Sequence, residues 1–236
     1  MSVSVVVLAA GKGTRMKSNL PKVLHKVLGK AILAHSLDTL SFIESQYVVV
    51  GHESDMVIDS LPPSTKHILQ KNQLGTGHAV STVVSGKIFV DNKSEFTLVV
   101  PGDVPAIDTK DIQNLISEVK SKSSSVGFLT SIVENPHGYG RVVRNNEEIR
   151  IVEEKDCNDD ERKINEINSG IYCFNTNFLI DNIDSLDTKN AQGEFYLTDL
   201  IGIANNQKQD IVIVQVDEDS IKGINSMSQL NEVEDI

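Results

Sequence analysis

Residues 3–22 read VSVVVLAAGKGTRMKSNLPK, and this stretch decides the fold. Val3 to Leu8 are mostly β-branched and apolar, which predicts a strand buried on both faces of a parallel sheet. Small residues follow at once, Ala9-Ala10-Gly11, then Lys12-Gly13-Thr14-Arg15. A buried strand that empties into small residues brings backbone N–H groups close to an anionic ligand. Lys12, Arg15 and Lys22 add positive charge on flexible arms. The stretch therefore predicts a phosphate-bearing ligand at the carboxyl end of the first strand.

The chain repeats this strand-then-helix order. Val23 to Leu40 carries apolar residues at helical spacing, with a break expected at Gly29. Strands are predicted at Tyr47–Val50, Lys66–Gln70, Phe96–Val100 and Val126–Val133, and helices from the Gly75-Thr76-Gly77 turn to about Ser85 and from Asp111 to Val119, with Asp108 or Thr109 near the cap. After that, shorter strands are expected at Tyr139–Arg144, Ile149–Glu153 and Glu166–Phe174, the first two forming a hairpin around residues 145–148. Asp156–Lys163 reads as a solvated charged run, Phe195–Ala204 as a helix and Ile211–Val214 as a late strand. The order predicts a single α/β domain over residues 1–236, a three-layer α/β/α Rossmann-like mixed, mainly parallel sheet with a small added β region.

The 236 residues suffice for a sizeable core, and 39% hydrophobic with 23% charged residues is ordinary for a globular chain. A net charge of -11 argues against nucleic acid or an anionic membrane as partner, since both need a basic face. It leaves room for a small polyanion, because a site's charge is local. Cys157 and Cys173 lack metal-binding spacing and read as free thiols. No run is long enough to span a bilayer and no signal-peptide pattern is present, so a cytoplasmic location is expected.

Three glycine turns follow predicted strands, at Gly11–Gly13, Gly75–Gly77 and Gly102-Asp103. The first is neither a Walker A loop nor GxGxxG. Taken singly it could be an ordinary strand-to-helix turn. Three together point to a ligand at the carboxyl ends of the strands. Asp103 is placed for Mg²⁺, which needs only one or two protein oxygens beside phosphate and water, and equally for capping a turn. Lys22 follows Pro21 and serves as a phosphate-binding point charge or a first-turn surface lysine. The six histidines show no catalytic or metal spacing, and Glu153-Glu154 is no acid pair because neighbours on a strand face opposite sides.

LAAGKGTRM followed by LPKVLH resembles the nucleotide-sugar pyrophosphorylases, a nucleotidyltransferase family. LQKNQLGTGHAV, GDVP, GYGRVVR, IVEEKD, EINSGIY, NAQGEFYLTD and GIN follow in order through almost the whole chain. Together they resemble the pyrophosphorylase (uridyltransferase) domain of bacterial N-acetylglucosamine-1-phosphate uridyltransferases. LAAGKGTR is shared among several nucleotidyltransferases, whereas EINSG and NAQGE are far more specific.

The resemblance implies the nucleotide-diphospho-sugar transferase fold and a set of roles. Leu8, Ala9, Ala10 and Gly11 would line the uridine and phosphate site, with Gly102 beside them. Gln70, Gly75 and Thr76 would read the uracil. Arg15 and Lys22 would be the catalytic cations on the phosphates. Asp103 and Asn225 would hold Mg²⁺. Gly140, Glu153 and Asn168 would hold the amino sugar. The implied reaction joins UTP and N-acetylglucosamine 1-phosphate to give UDP-N-acetylglucosamine, a peptidoglycan and cell-wall precursor, and pyrophosphate. A sugar-phosphate oxygen attacks the α-phosphorus in line. The attacking group is already anionic, so positioning and charge neutralisation suffice without a strong base.

Two features depart from the family pattern. Pro101 stands where a Tyr is common before GDVP. Family members also commonly carry a C-terminal β-helix acetyltransferase domain, absent from this chain, which leads to the expectation of a monomer or weak dimer. A related transferase using another sugar 1-phosphate or nucleotide, and a non-catalytic nucleotide-sugar sensor, stay open as alternatives.

Overall fold

Val3–Ala9 is the strand on which the sheet is built: it pairs in parallel with Ser45–Val50 on one side and Phe96–Pro101 on the other. The computed structural model describes residues 2–13, 16, 18–63, 65–145 and 148–224. In chain order these form β1 (Val3–Ala9), β2 (Lys26–Val27), β3 (Lys30–Ala31), α1 (Ile32–Thr39), β4 (Ser45–Val50), α2 (Ser54–Ser60), β5 (Lys66–Leu69), α3 (Thr76–Val84) and α4 (Lys87–Val90). Then follow β6 (Phe96–Pro101), α5 (Thr109–Ser121), β7 (Val126–Ile132), β8 (Arg141–Asn145), β9 (Glu148–Val152), β10 (Glu166–Asn175), α6 (Thr176–Ile183), α7 (Asp199–Asn206) and β11 (Ile211–Gln215).

The main sheet runs β11-β7-β10-β6-β1-β4-β5. All of these are mutually parallel except β10, which is antiparallel to both its neighbours. Side chains alternate across the sheet, as the period of a strand demands. Val5, Val7 and Ala9 face the layer that holds α1, α2 and α5. Val6 faces α3, α4, α6 and α7. The expected three-layer, mainly parallel architecture is the one observed.

Three local readings differ from expectation. Val23–Leu40 is not one helix: Lys22–Leu24 makes a 3₁₀ turn, β2 and β3 form a small hairpin, and only Ile32 onward is α-helical. The hairpin tip, Leu28 and Gly29, has positive φ at both residues, which a helix cannot contain. Glu166–Asn175, expected among the shorter strands, is indeed a strand but ten residues long and part of the main sheet. The added β region is the β8–β9 hairpin, joined to the sheet through Arg141 and Ile167. Phe195–Thr198 is non-helical, so the last helix starts only at Asp199.

Candidate functional site

The carboxyl ends of β1, β5 and β6, with β10 opposite, surround a cavity of about 570 Å³. Its floor is Leu8, Ala9, Ala10 and Gly11 with Lys12 and Gly13. The floor is pinned from both sides: the Gly102 N–H donates to Leu8 O at 2.9 Å, and the His52 N–H donates to Ala10 O at 3.2 Å. Gly13 sits at φ +56°, and a Cβ there would lie 2.7 Å from the Lys22 Cβ. The absent side chain lets the loop fold onto Lys22 and bring that lysine to the cavity.

One wall is built from Gln70, Gln73, Gly75 and Thr76. Gln70 is almost wholly buried at 3% exposure. Its side-chain nitrogen stands 3.2 Å from Gly75 O and 2.9 Å from His78 Nδ1. The turn beyond it is clasped by a distant segment. The Phe195 N–H donates to Leu74 O and the Gly77 N–H to Phe195 O, both at 2.8 Å; the Leu197 N–H donates to Thr76 Oγ1 at 3.1 Å. Gly75 has φ +109°, and a Cβ on it would lie 2.5 Å from Phe195 O. The clasp therefore requires glycine.

The opposite wall comes from β10 and the segment after β9: Glu153, Asn168, Gly170, Tyr172 and Thr198. The β10–β7 register shifts between Asn168 and Tyr172. Such a bulge re-aims side chains. Here Asn168 Nδ2 donates to Tyr172 Oη at 2.7 Å, and Gly170 N–H donates to Asn168 Oδ1 at 3.2 Å. Thr198 Oγ1 donates to Glu153 Oε1 at 3.3 Å. Burial holds the Glu153 carboxyl above its ordinary range, the Thr198 hydrogen bond pulls it back, and the Asp156, Asp199 and Glu194 carboxylates push it further up. Burial, with the Glu153 carboxylate nearby, raises the Tyr172 phenol strongly, so it stays protonated.

Behind this wall Arg141, 1% exposed, donates to Glu154 Oε2 at 2.7 Å and to Tyr139 O. Glu154 also accepts from the Gly138 N–H at 2.9 Å. Glu153 and Glu154 thus point to opposite sides of one strand end, one to the cavity and one to its support. Between the walls, the Lys22 ammonium donates to the Asp103 carboxylate. Ile224 N–H donates to Asp103 O at 2.9 Å.

Of the residues singled out in the sequence, Leu8, Ala9, Ala10, Gly11, Lys22, Gln70, Gly75, Thr76, Asp103, Glu153 and Asn168 all line this cavity. Gly102 and Gly140 do not. Gly102 ties the floor to β6, and Gly140 O accepts the Asn168 N–H at 2.9 Å from behind the wall. Arg15 and Asn225 lie outside the described residues. Lys12, named among the loop's cations but given no role by the resemblance, also lines the cavity, as do Gln73, Tyr172, Glu194 and Thr198, which were not singled out. Tyr172 and Thr198 fall inside the quoted stretches EINSGIY and NAQGEFYLTD, yet each reads locally as strand or helix packing. Among the described residues no group of three or more His, Cys, Asp or Glu is placed to hold a metal, and no helix is long and apolar enough to cross a membrane.

The cavity offers planar amide and backbone groups at one end, a cation–carboxylate pair in the middle, and a carboxylate, an amide and two hydroxyls at the other. That arrangement suits a ligand with a hydrogen-bonding head, an anionic centre and a polyhydroxylated tail.

Residues 5–148 match the family model described as MobA-like NTP transferase domain. Over 234 residues the chain is 44% identical to the bifunctional protein GlmU of Fervidobacterium nodosum, covering 99% of this chain and 50% of that protein. It is 44% identical over 243 residues to the bifunctional protein GlmU of Clostridium novyi, covering 100% and 52%. The chain thus spans about half the length of the curated relatives it matches. Among solved structures, a UDP-glucose pyrophosphorylase complexed with UDP-glucose superposes with TM-score 0.79 at 18% identity, covering 100% of this chain and 98% of that one. A putative glucose-1-phosphate thymidylyltransferase from Bacillus anthracis superposes with TM-score 0.78 at 18% identity, covering 99% and 94%. At that identity these two share the fold.

Proposed function

The chain belongs to the MobA-like NTP transferase family, and from that premise we propose that it is a uridyltransferase. It would transfer UMP from UTP to N-acetylglucosamine 1-phosphate, releasing pyrophosphate and giving UDP-N-acetylglucosamine. The observation that carries this reading is a single cavity with the Gln70–Gly75–Thr76 wall at one end and the Glu153–Asn168 wall at the other. The Lys22–Asp103 pair lies between them.

The residues divide the work by place. Gln70 and the Gly75-Thr76 backbone take the base. The floor from Leu8 to Gly11 lies under ribose and phosphate, supplying N–H groups and little steric bulk. Lys22, with Arg15 as the second expected cation, neutralises charge on the transferred phosphorus and the leaving pyrophosphate. Glu153 and Asn168 take the sugar's polar groups, with Gly140 holding Asn168 by its backbone. The attacking oxygen belongs to a phosphate that is anionic at neutral pH, so the chain's task is alignment.

A divalent cation fits the site. Asp103 presents a carboxylate to the cavity beside a lysine, and Mg²⁺ typically takes only one or two carboxylates with phosphate and water. Asp103 would hold it, with Asn225 as the second ligand; when bound it would offset phosphate charge. The test is pyrophosphate release over a panel of nucleoside triphosphates and sugar 1-phosphates. The expected result is turnover with UTP and N-acetylglucosamine 1-phosphate far above any other pair. Turnover confined to another pair overturns the substrate assignment.

A further inference from the structure

Gln70 is held at both its backbone and its side-chain amide. Its backbone is fixed, with the N–H donating to Val50 O at 2.8 Å and the carbonyl accepting from Gln73 Nε2 at 3.0 Å. Its side-chain nitrogen contacts Gly75 O and His78 Nδ1 at 3.2 and 2.9 Å. A carbonyl oxygen can only accept, so the atom facing Gly75 has to be the NH₂ end of the amide. One N–H is then left for His78, and Nδ1 has to accept it. His78 is therefore a neutral ring with its proton on Nε2. The ring is itself held, stacked on Phe195 with centroids 6.4 Å apart, and Phe195 belongs to the clasp over the Gly75 turn.

Both amide hydrogens of Gln70 are thus used inside the protein. The oxygen is what this side chain can offer to a ligand in the cavity it lines. We propose that His78 is a positioning residue that locks Gln70 as an acceptor-only reader of the base. Such a reader selects a base whose ring edge carries an N–H, as uracil and thymine do at N3. It rejects cytosine, whose N3 is itself an acceptor and would meet the Gln70 oxygen lone pair to lone pair. Without the His78 acceptor only the contact to Gly75 O holds the amide, and its second N–H is released to turn toward the cavity as the donor that cytosine needs. The inference rests on the reading of this wall as the base site.

The experiment measures kcat/KM for UTP and CTP in the wild type and in His78→Leu, His78→Asn and Gln70→Ala, with N-acetylglucosamine 1-phosphate as acceptor. His78→Leu removes the acceptor and keeps an apolar contact for Phe195; His78→Asn returns an acceptor oxygen near the position of Nδ1. The UTP-over-CTP preference is expected to fall roughly tenfold in His78→Leu, the value of one hydrogen bond, and to recover in His78→Asn. The KM for the sugar phosphate should be unchanged in both. In the wild-type protein, ¹⁵N NMR of the imidazole should show the Nε2–H tautomer, which does not depend on any variant folding. An unaltered preference in folded His78→Leu, or the Nδ1–H tautomer, overturns the proposal. If Gln70→Ala collapses the preference while His78→Leu does not, only the role of His78 falls. If Gln70→Ala leaves it intact, the base-site reading falls as well.

Discussion

The Lys22 ammonium is bonded to the Asp103 carboxylate, joining residues 81 positions apart at the mouth of the floor loop. Each is the other's counter-ion before any ligand arrives. If UTP binds as proposed, its polyphosphate would draw Lys22 away and free the Asp103 carboxylate for a divalent cation. On the proposed reading the pair would couple phosphate and metal, each making room for the other.

Asp103→Asn should therefore lower kcat/KM on the order of a hundredfold or more, and move half-activation to higher Mg²⁺. Chelation of divalent ions should abolish pyrophosphate release in the wild type, and added Mg²⁺ should restore it. Lys22→Ala should lose both nucleotide affinity and rate at every Mg²⁺ concentration. Near-wild-type turnover of Asp103→Asn at low Mg²⁺ would falsify the pairing's role.

Gly75→Ala should destabilise the protein by about 2 kcal/mol or more and weaken UTP binding, because its Cβ would press on Phe195 O at 2.5 Å at φ +109°. Gly193→Ala is the control. It also has positive φ, +64°, but nothing lies within 4 Å of its Cβ, so about 1 kcal/mol is expected. Urea denaturation of both, with UTP titration of the folded proteins, separates clash from strain.

Glu153→Gln should raise the thermal midpoint at neutral pH while raising the KM for the sugar phosphate. Glu153 is held above its ordinary 4.5 by burial and then by the Asp156, Asp199 and Glu194 carboxylates. A carboxyl whose folded value is raised holds its proton more tightly when folded. Wild-type stability then declines as pH rises from the unfolded range through the folded value. The gain from Gln should be full above that window and fade below about 4.5. Thermal melts of both proteins across the acid range check the sign.

Glu154→Ala should cost about 3 kcal/mol, since it strands the buried Arg141 guanidinium and frees the Gly138 N–H. The loss should raise the KM for the sugar phosphate more than that for UTP, because Arg141 lies behind the Glu153–Asn168 wall proposed to hold the sugar. Equal loss of both affinities would instead point to global loosening.

Most of the sheet was legible because its signals are local. Val3–Leu8 and Phe96–Val100 are unbroken β-branched runs, and the glycine turns after them sit at the expected strand ends. Helices α2 and α6, seven and eight residues long, escaped because one or two turns give too little period to read. Val23–Leu40 misled because Val27 is apolar for another reason: it packs with Met16, Ile32 and Ile224 in a small separate cluster. The clasp of Phe195 on Gly75 and Gly77, and the aim of Tyr172 and Thr198 into the cavity, depend on pairings between distant segments. No local pattern carries those.

The place of β10 has a consequence for synthesis. β6 and β7 are separated in the chain only by α5, yet β10 lies between them in the sheet. A nascent polypeptide that has left the ribosome only as far as the residue before Glu166 holds two facing strand edges with no mate. It also lacks Phe195, so the Gly75 turn is unclasped. The wall around Gly75 therefore cannot close before the segment from Glu166 to Leu197 has been made. Both walls of the cavity thus wait for the same later segments of the chain, and until those are made the two strand edges are open to wrong pairing.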